Sequence, residues 1–255
     1  MLTHRGLLAP GIEDGPLAEA FRILARQVAP AEMRDSAAPA HRAVLVTSAL
    51  PEEGKTFVAA NLALTIAREP DQRVLLVDAD LHRPAIADRL GLSADRGLND
   101  LLADPSLDLA DVAIPLLSPS GLTVLAAGRR PRGAGGHIAS HRMRALLATR
   151  RGRADGQVTI LDSPPLLAAP QTAELAAQVD QVLLVIEAES TGADAIDAAL
   201  DLLARGGTVG LVLNKTRPGL DASNYARQGH WSVADPARGR RAAARFRGAA
   251  GTSQG

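Results

Sequence analysis

The sequence predicts an α/β domain in which a mostly parallel sheet is sandwiched between helices, and three observations carry that reading. Short apolar runs alternate with helix-like stretches from residue 43 to residue 214. Most of these runs are unbroken Val, Leu and Ile without apolar–polar alternation, the pattern of strands covered on both faces. The first run also passes through a tight loop directly into a helix, the strand–loop–helix unit of a three-layer α/β/α architecture. Ligands in such sheets sit at the carboxyl ends of the strands, so the residues just after each strand are the ones to search.

Taken in order, residues 1–15 hold Gly, Pro and mixed charges and read as flexible. Residues 16–28 read as an amphipathic helix, with Leu17, Phe21, Leu24 and Val28 at helical spacing and Pro16 at a favourable first position. Residues 29–40 form a Pro/Ala-rich linker. Strands are expected at 43–48, 73–78, 122–126, 158–162, 181–187 and 208–214. Helices are expected at 55–68, 83–90, 97–103, 141–150, 171–178 and 193–204. Beyond residue 216, Gly, Ala, Ser and Arg dominate without apolar periodicity, as in a disordered tail. The organisation is therefore an N-terminal segment (1–40), one domain (41–216) and a tail (217–255).

Composition narrows the function classes. Apolar residues make up 46% of the 255 and aromatics 2%, so the core is built of Ala, Leu, Val and Ile. There is no Cys, which excludes disulfides and thiolate metal sites. The formal net charge is zero, and the Arg excess of the tail reads as a solvated face, so no nucleic-acid partner is expected. No apolar run approaches the roughly 20 residues that span a bilayer, and the first ten residues lack a long apolar signal region. A cytoplasmic protein is expected, with any membrane recruitment supplied by a partner.

The chemistry concentrates at strand ends. Residues 49–56, ALPEEGKT, are nearly a phosphate-binding P-loop. Its backbone N–H groups and the following helix N-terminus would wrap phosphates, Lys55 would reach the β/γ-phosphates, and the Thr56 hydroxyl would ligate Mg²⁺. The candidate nucleotide contacts are Pro51, Glu53, Gly54, Lys55, Thr56 and Phe57. Only Lys55 and Lys215 are lysines among 28 basic residues, so Lys55 escapes a strong bias toward Arg. A compact ammonium fits among phosphate oxygens where a guanidinium does not. The second strand ends in Asp78 and Asp80, and the fourth in Asp162 followed by Ser-Pro-Pro. An apolar strand ending in Asp is the pattern that holds Mg²⁺ directly or through water. Taken singly, each of these aspartates is equally a helix cap or turn residue.

Residues 47–56 (TSALPEEGKT), 74–84 (VLLVDADLHRP) and 160–165 (ILDSPP) together resemble the Walker A, A′ and B motifs of the bacterial tyrosine kinases, the cytoplasmic autokinases of capsule and exopolysaccharide export. The form of the first motif is most similar to the branch linked to exosortase gene clusters. Residues 19–24, 96–102, 122–128 and 210–214 add supporting matches, and the resemblance covers roughly residues 16–216. It implies ATP and Mg²⁺ as cofactors, Lys55, Asp78 and Asp80 as catalytic residues, and Thr56, Asp80 and Asp162 around the metal. Asp78 would accept the proton of an incoming tyrosine, and Asn214 would either contact adenine or serve as a turn residue. Glu19 and Arg22 match a subunit-linking helix motif, implying a homo-oligomer, although Ala25 stands at its last basic position. A membrane copolymerase or chain-length determinant as activator, recruitment to the inner membrane face and a cognate tyrosine phosphatase are also implied.

Four departures accompany the resemblance. Ala49 stands at the usual first Gly of the loop. Glu52 stands where a small residue is common, placing a negative charge beside polyphosphate, so weaker nucleotide binding is expected. His82 replaces a common Arg. The tyrosine cluster that ends most family members is reduced here to Tyr225, the one tyrosine of the chain and the candidate phospho-acceptor. Two alternatives to an active kinase therefore stand: an ATP-gated scaffold or slow ATPase of the export complex, and a partitioning- or division-type ATPase on the same fold.

Overall fold

The computed structural model describes residues 7, 15–29, 41–119, 121–128, 138, 140–151, 156–204 and 207–216. Seven strands form one sheet: β1 Arg42–Ser48, β2 Val74–Asp78, β3 Ile114–Pro115, β4 Leu122–Leu125, β5 Val158–Asp162, β6 Gln181–Glu187 and β7 Thr208–Asn214. Their spatial order is β3-β4-β2-β5-β1-β6-β7, and every pairing is parallel except β3 with β4. The mostly parallel sheet matches expectation. The antiparallel edge pair β3 is an addition that two residues could not announce by periodicity.

The helices are α1 Pro16–Val28, α2 Lys55–Ile66, α3 Ile86–Leu90, α4 Leu98–Ala103, α5 Leu109–Val112, α6 His141–Arg151, α7 Gln171–Ala176 and α8 Ala193–Leu202. The chief boundary difference is α3, expected from residue 83 and observed from Ile86. Pro84 and a carboxylate that caps the backbone N–H groups of Ala85 and Ile86 set its start. α5, whose N-cap is Asp108, had no sequence signal of its own.

Two apolar layers flank the sheet. One joins α1 and α2 to Val44, Val46, Leu76 and Ile160; the other joins α4, α6, α7 and α8 to Leu45, Leu75, Leu161 and Leu184. α2 is apolar around nearly its whole circumference, with every residue from Val58 to Ile66 buried. Such a helix needs cover on both sides. The sheet supplies one side and α1 the other, where the rings of Phe21 and Phe57 meet edge-to-face at 5.8 Å. Leu7 is buried in the same layer. Among the described residues, no helix is long and apolar enough to cross a membrane. The expected linker over 29–40 lies, apart from Ala29, outside the described residues, as do the tail from residue 217 and Tyr225 within it.

Candidate functional site: a P-loop over three buried carboxylates

β1 lies inside the sheet, between β5 and β6. The chain leaves β2 to one side and reaches β6 and β7 on the other, so the carboxyl end of β1 is a topological switch point. The loop between β1 and α2 sits there. Its shape depends on two left-handed residues, Glu52 with φ 67° and Gly54 with φ 98°. At Gly54 a Cβ would also lie 2.0 Å from the Asn214 amide nitrogen, so glycine is required for backbone and packing reasons alike. Gly54 is the N-cap of α2, a twelve-residue helix whose first residue is Lys55.

A cavity of about 510 Å³ opens at this loop. Pro51, Glu52, Gly54, Lys55 and Thr56 form its floor, and Pro164, Pro165, Ala168 and Gln171 one wall. Asp80, His82, Arg83 and Arg89 form the other wall. The Lys55 ammonium lies 3.5 Å from Asp80 Oδ2, and the backbone N–H of Arg83 donates to Asp80 Oδ1 at 3.0 Å. Asp80 is therefore the carboxylate held on the cavity wall beside the lysine.

Asp78 and Asp162 stand behind it. They are opposite each other in the register of β2 and β5, and both are buried. Asp78 Oδ2 accepts the N–H groups of Ala85 and Ile86, each at 3.0 Å, while its Oδ1 is buried without a hydrogen-bond partner. Neither carboxylate oxygen of Asp162 receives a hydrogen bond of good geometry. Burial, reinforced by the charge of Asp162, pushes the Asp78 carboxyl up to about 8. Burial also pushes Asp162 up to about 6, against the opposing pull of the Thr56 hydroxyl and the Lys55 ammonium. Unpartnered buried carboxylate oxygens beside a lysine, a threonine hydroxyl and a loop of backbone N–H groups are an environment that a polyphosphate with its divalent cation completes. Thr56 and Asp80 line the cavity and Asp162 is buried outside its lining; these three carry the oxygens that could hold such a cation. No group of three His, Cys, Asp or Glu among the described residues would hold a metal unaided.

Three of the expected site residues are placed differently from a simple contact list. Glu53 does not line the cavity: its side chain is 2% exposed and turns into the protein, where Oε2 accepts the Leu50 N–H at 2.6 Å and Oε1 meets the Thr191 hydroxyl. Asn214 donates its amide to the Glu53 carbonyl at 2.8 Å, fastening the end of β7 to the loop. Phe57 packs against Phe21 rather than on the cavity. Glu19 and Arg22 form an i,i+3 ion pair at 2.9 Å on α1. Sequence reasoning missed Arg83 and Arg89 as cavity residues. The pairing of Arg83 with Pro84 offered a weak signal, and Arg89, within the short helix α3, offered none.

No protein-family model matches the chain. Tyrosine-protein kinase Etk of Escherichia coli K12 is 32% identical over 173 residues, covering 67% of this chain and 23% of Etk. Tyrosine-protein kinase YwqD of Bacillus subtilis 168 is 30% identical over 196 residues, covering 76% of this chain and 79% of YwqD. The solved kinase domain of VpsO superposes with a TM-score of 0.61 at 31% identity, over 80% of this chain and 100% of that domain. The chain spans about a quarter of the length of Etk and of other long relatives, but most of YwqD.

Proposed function

The chain belongs to the bacterial tyrosine kinase family, and from that premise we propose that it binds Mg·ATP in the P-loop cavity and transfers the γ-phosphoryl group to tyrosine. ATP would supply the phosphoryl group, and its Mg²⁺ the positive charge that offsets the buried carboxylates. The observation that carries this reading is the Lys55–Asp80 pair on the cavity wall, with the unpartnered oxygens of Asp162 and Asp78 directly behind it. Lys55 and the loop N–H groups hold the phosphates, and Thr56, Asp80 and Asp162 hold the cation. Both oxygens of Asp80 are engaged, whereas Asp78 keeps Oδ1 free, so Asp78 in its ionised form, which a cation bound beside it would favour, is the proposed proton acceptor. The tyrosine oxygen bonds to phosphorus, the bond to ADP breaks, and the phenolic proton passes to Asp78 Oδ1. Because Asp78 does not line the cavity, residues 79–84 must shift when the acceptor enters.

The wider role we infer is regulation of exopolysaccharide or capsule synthesis and export. The domain 41–216 carries the chemistry, and the tail carries Tyr225. Glu19 and Arg22 on α1 contribute to a contact between copies, and a membrane copolymerase serves as activator at the inner membrane face. A cognate phosphatase resets the tyrosine.

A second reading rests on Glu52. A carboxylate held at φ 67° on the cavity floor opposes polyphosphate binding and favours an ATP-gated scaffold that transfers phosphate slowly or not at all. Intact mass after incubation with Mg·ATP separates the two. One added phosphate, absent from Lys55→Met and from Tyr225→Phe, supports the autokinase. Binding of ATP without added mass leaves the scaffold.

A further inference from the structure

We propose that Glu53, Thr191 and Asn214 form a latch that sets the phosphate-accepting shape of the P-loop and makes nucleotide affinity depend on the turn after β6 and the end of β7. This rests on the nucleotide-site reading above and gives Glu53 a positioning role in place of a contact role.

The geometry is a closed circuit of hydrogen bonds. Within the loop, the Leu50 N–H donates to Glu53 Oε2 at 2.6 Å, so the carboxylate ties together the loop's two sides. Its other oxygen, Oε1, accepts from the Thr191 hydroxyl and, at 3.5 Å, from the Glu187 N–H. The Glu187 N–H also donates to Thr191 Oγ1 at 3.0 Å, and the Thr191 N–H to the Glu187 carbonyl at 3.1 Å. The turn 187–191 is thereby folded around the hydroxyl that grips Glu53. From β7, Asn214 donates to the Glu53 carbonyl, and its own carbonyl accepts the Ala188 N–H at 2.9 Å. The Lys215 ammonium pairs with Glu187 at 2.9 Å, closing the circuit on the outside.

The backbone explains why this arrangement controls the cavity. Glu53 lies between the two left-handed residues, Glu52 and Gly54. Those two line the cavity while Glu53 is turned inward and buried. A left-handed Glu is unfavourable in isolation and persists only where neighbours over-determine it. The inward anchoring of Glu53 is that determinant. Released, the 50–54 segment relaxes toward ordinary backbone, and its N–H groups lose their common focus.

A buried acidic side chain braced by a threonine one strand away is no requirement of phosphate binding, which uses the backbone N–H groups, Lys55 and Thr56. The latch is an added coupling. The chain continues from Lys215 and Thr216 into the segment that carries Tyr225.

The test uses the full chain and three measurements: affinity for Mg·ADP by calorimetry, amide exchange of Leu50 without nucleotide, and the thermal midpoint. Thr191→Val is expected to weaken Mg·ADP about tenfold and to speed Leu50 exchange, with a midpoint within a few degrees of the parent. Glu53→Ala is expected to match or exceed that loss, and Glu53→Gln, which keeps an acceptor for Leu50, to recover most of it. Thr191→Val combined with Glu53→Ala is expected to lose no more affinity than Glu53→Ala alone, because both cut one contact. Additive losses, or Thr191→Val binding Mg·ADP within twofold of the parent, would overturn the latch. Failure of the parent chain to bind Mg·ADP would overturn the nucleotide-site reading and the latch together; binding by the parent with indifferent variants overturns the latch alone.

Discussion

Asp78 and Asp162 face each other at the last paired position of β2 and β5, both buried and both with an oxygen that no hydrogen bond reaches. In the absence of a cation their ionisation is opposed, and the folded pKa of each lies above the ordinary carboxylate range. Below about pH 4 both carboxyls are protonated in the folded and unfolded chain, and the pair costs nothing. As pH rises the unfolded chain releases these protons first, so the folded state loses stability, from about 4 to about 6 for Asp162 and on to about 8 for Asp78. Denaturant titrations in EDTA are expected to show Asp78→Asn gaining about 1–3 kcal/mol over the parent at pH 8 and little at pH 4. Asn keeps the oxygen that caps α3, so the comparison isolates the charge. A pH-independent difference would sink this account.

Glu52 combines two unfavourable features, a left-handed backbone and a negative charge on the cavity floor. Glu52→Gln removes the charge alone, and Glu52→Gly removes both. Mg·ATP affinity is expected to rise about threefold to tenfold in Glu52→Gln, with the gain shrinking in high salt. Thermal stability of Glu52→Gly should stay near the parent value, since relief of about 1 kcal/mol of backbone strain is offset by the greater freedom of glycine in the unfolded chain. Unchanged affinity in both variants would mean the carboxylate points away from bound nucleotide.

Arg89 reaches the same cavity from α3; burial pushes the Asp162 carboxyl up, and the Arg89 charge is a minor pull the other way. A second fixed cation in the cavity that holds Lys55 is suited to the charge that develops on a transferring phosphoryl group. Arg89→Gln is expected to lower turnover about tenfold or more with a smaller change in KM for ATP. Equal turnover in single-turnover kinetics would remove Arg89 from the reaction.

The contact of Phe21 with Phe57 links α1 to the helix that begins with Lys55 and Thr56. Phe21 is buried, and its truncation leaves a cavity between helices in a core otherwise poor in aromatics. Phe21→Ala is expected to cost about 3 kcal/mol, read from the shift of the urea midpoint at constant slope. Loss of ATP binding should track unfolding and not precede it.

Much of this architecture was legible in the chain itself. Runs rich in Val, Leu and Ile marked β1, β2, β5 and β6 because strands covered on both faces need no polar alternation. The ends of β2 and β5 gave Asp78, Asp80 and Asp162, and the loop gave Lys55 and Thr56, because a parallel sheet delivers all its carboxyl ends to one edge. Element ends were less legible. α3 starts three residues late because its cap comes from Asp78, seven and eight positions earlier in the chain, a signal no local window contains.

The sequence by itself determined the fold class, the loop and the aspartates, since each is written in a run of neighbouring residues. Only the tertiary structure decided which acidic residue of the loop faces the cavity. Glu52 and Glu53 are adjacent and chemically identical, yet one lines the cavity and the other is buried against Thr191. It also decided that Arg89 enters the cavity and that Asp78 and Asp162 share one buried position. The reason is the strand order: β5 inserts between β2 and β1, and β6 and β7 close the other side of the loop, so residues far apart in the chain set each other's burial and charge.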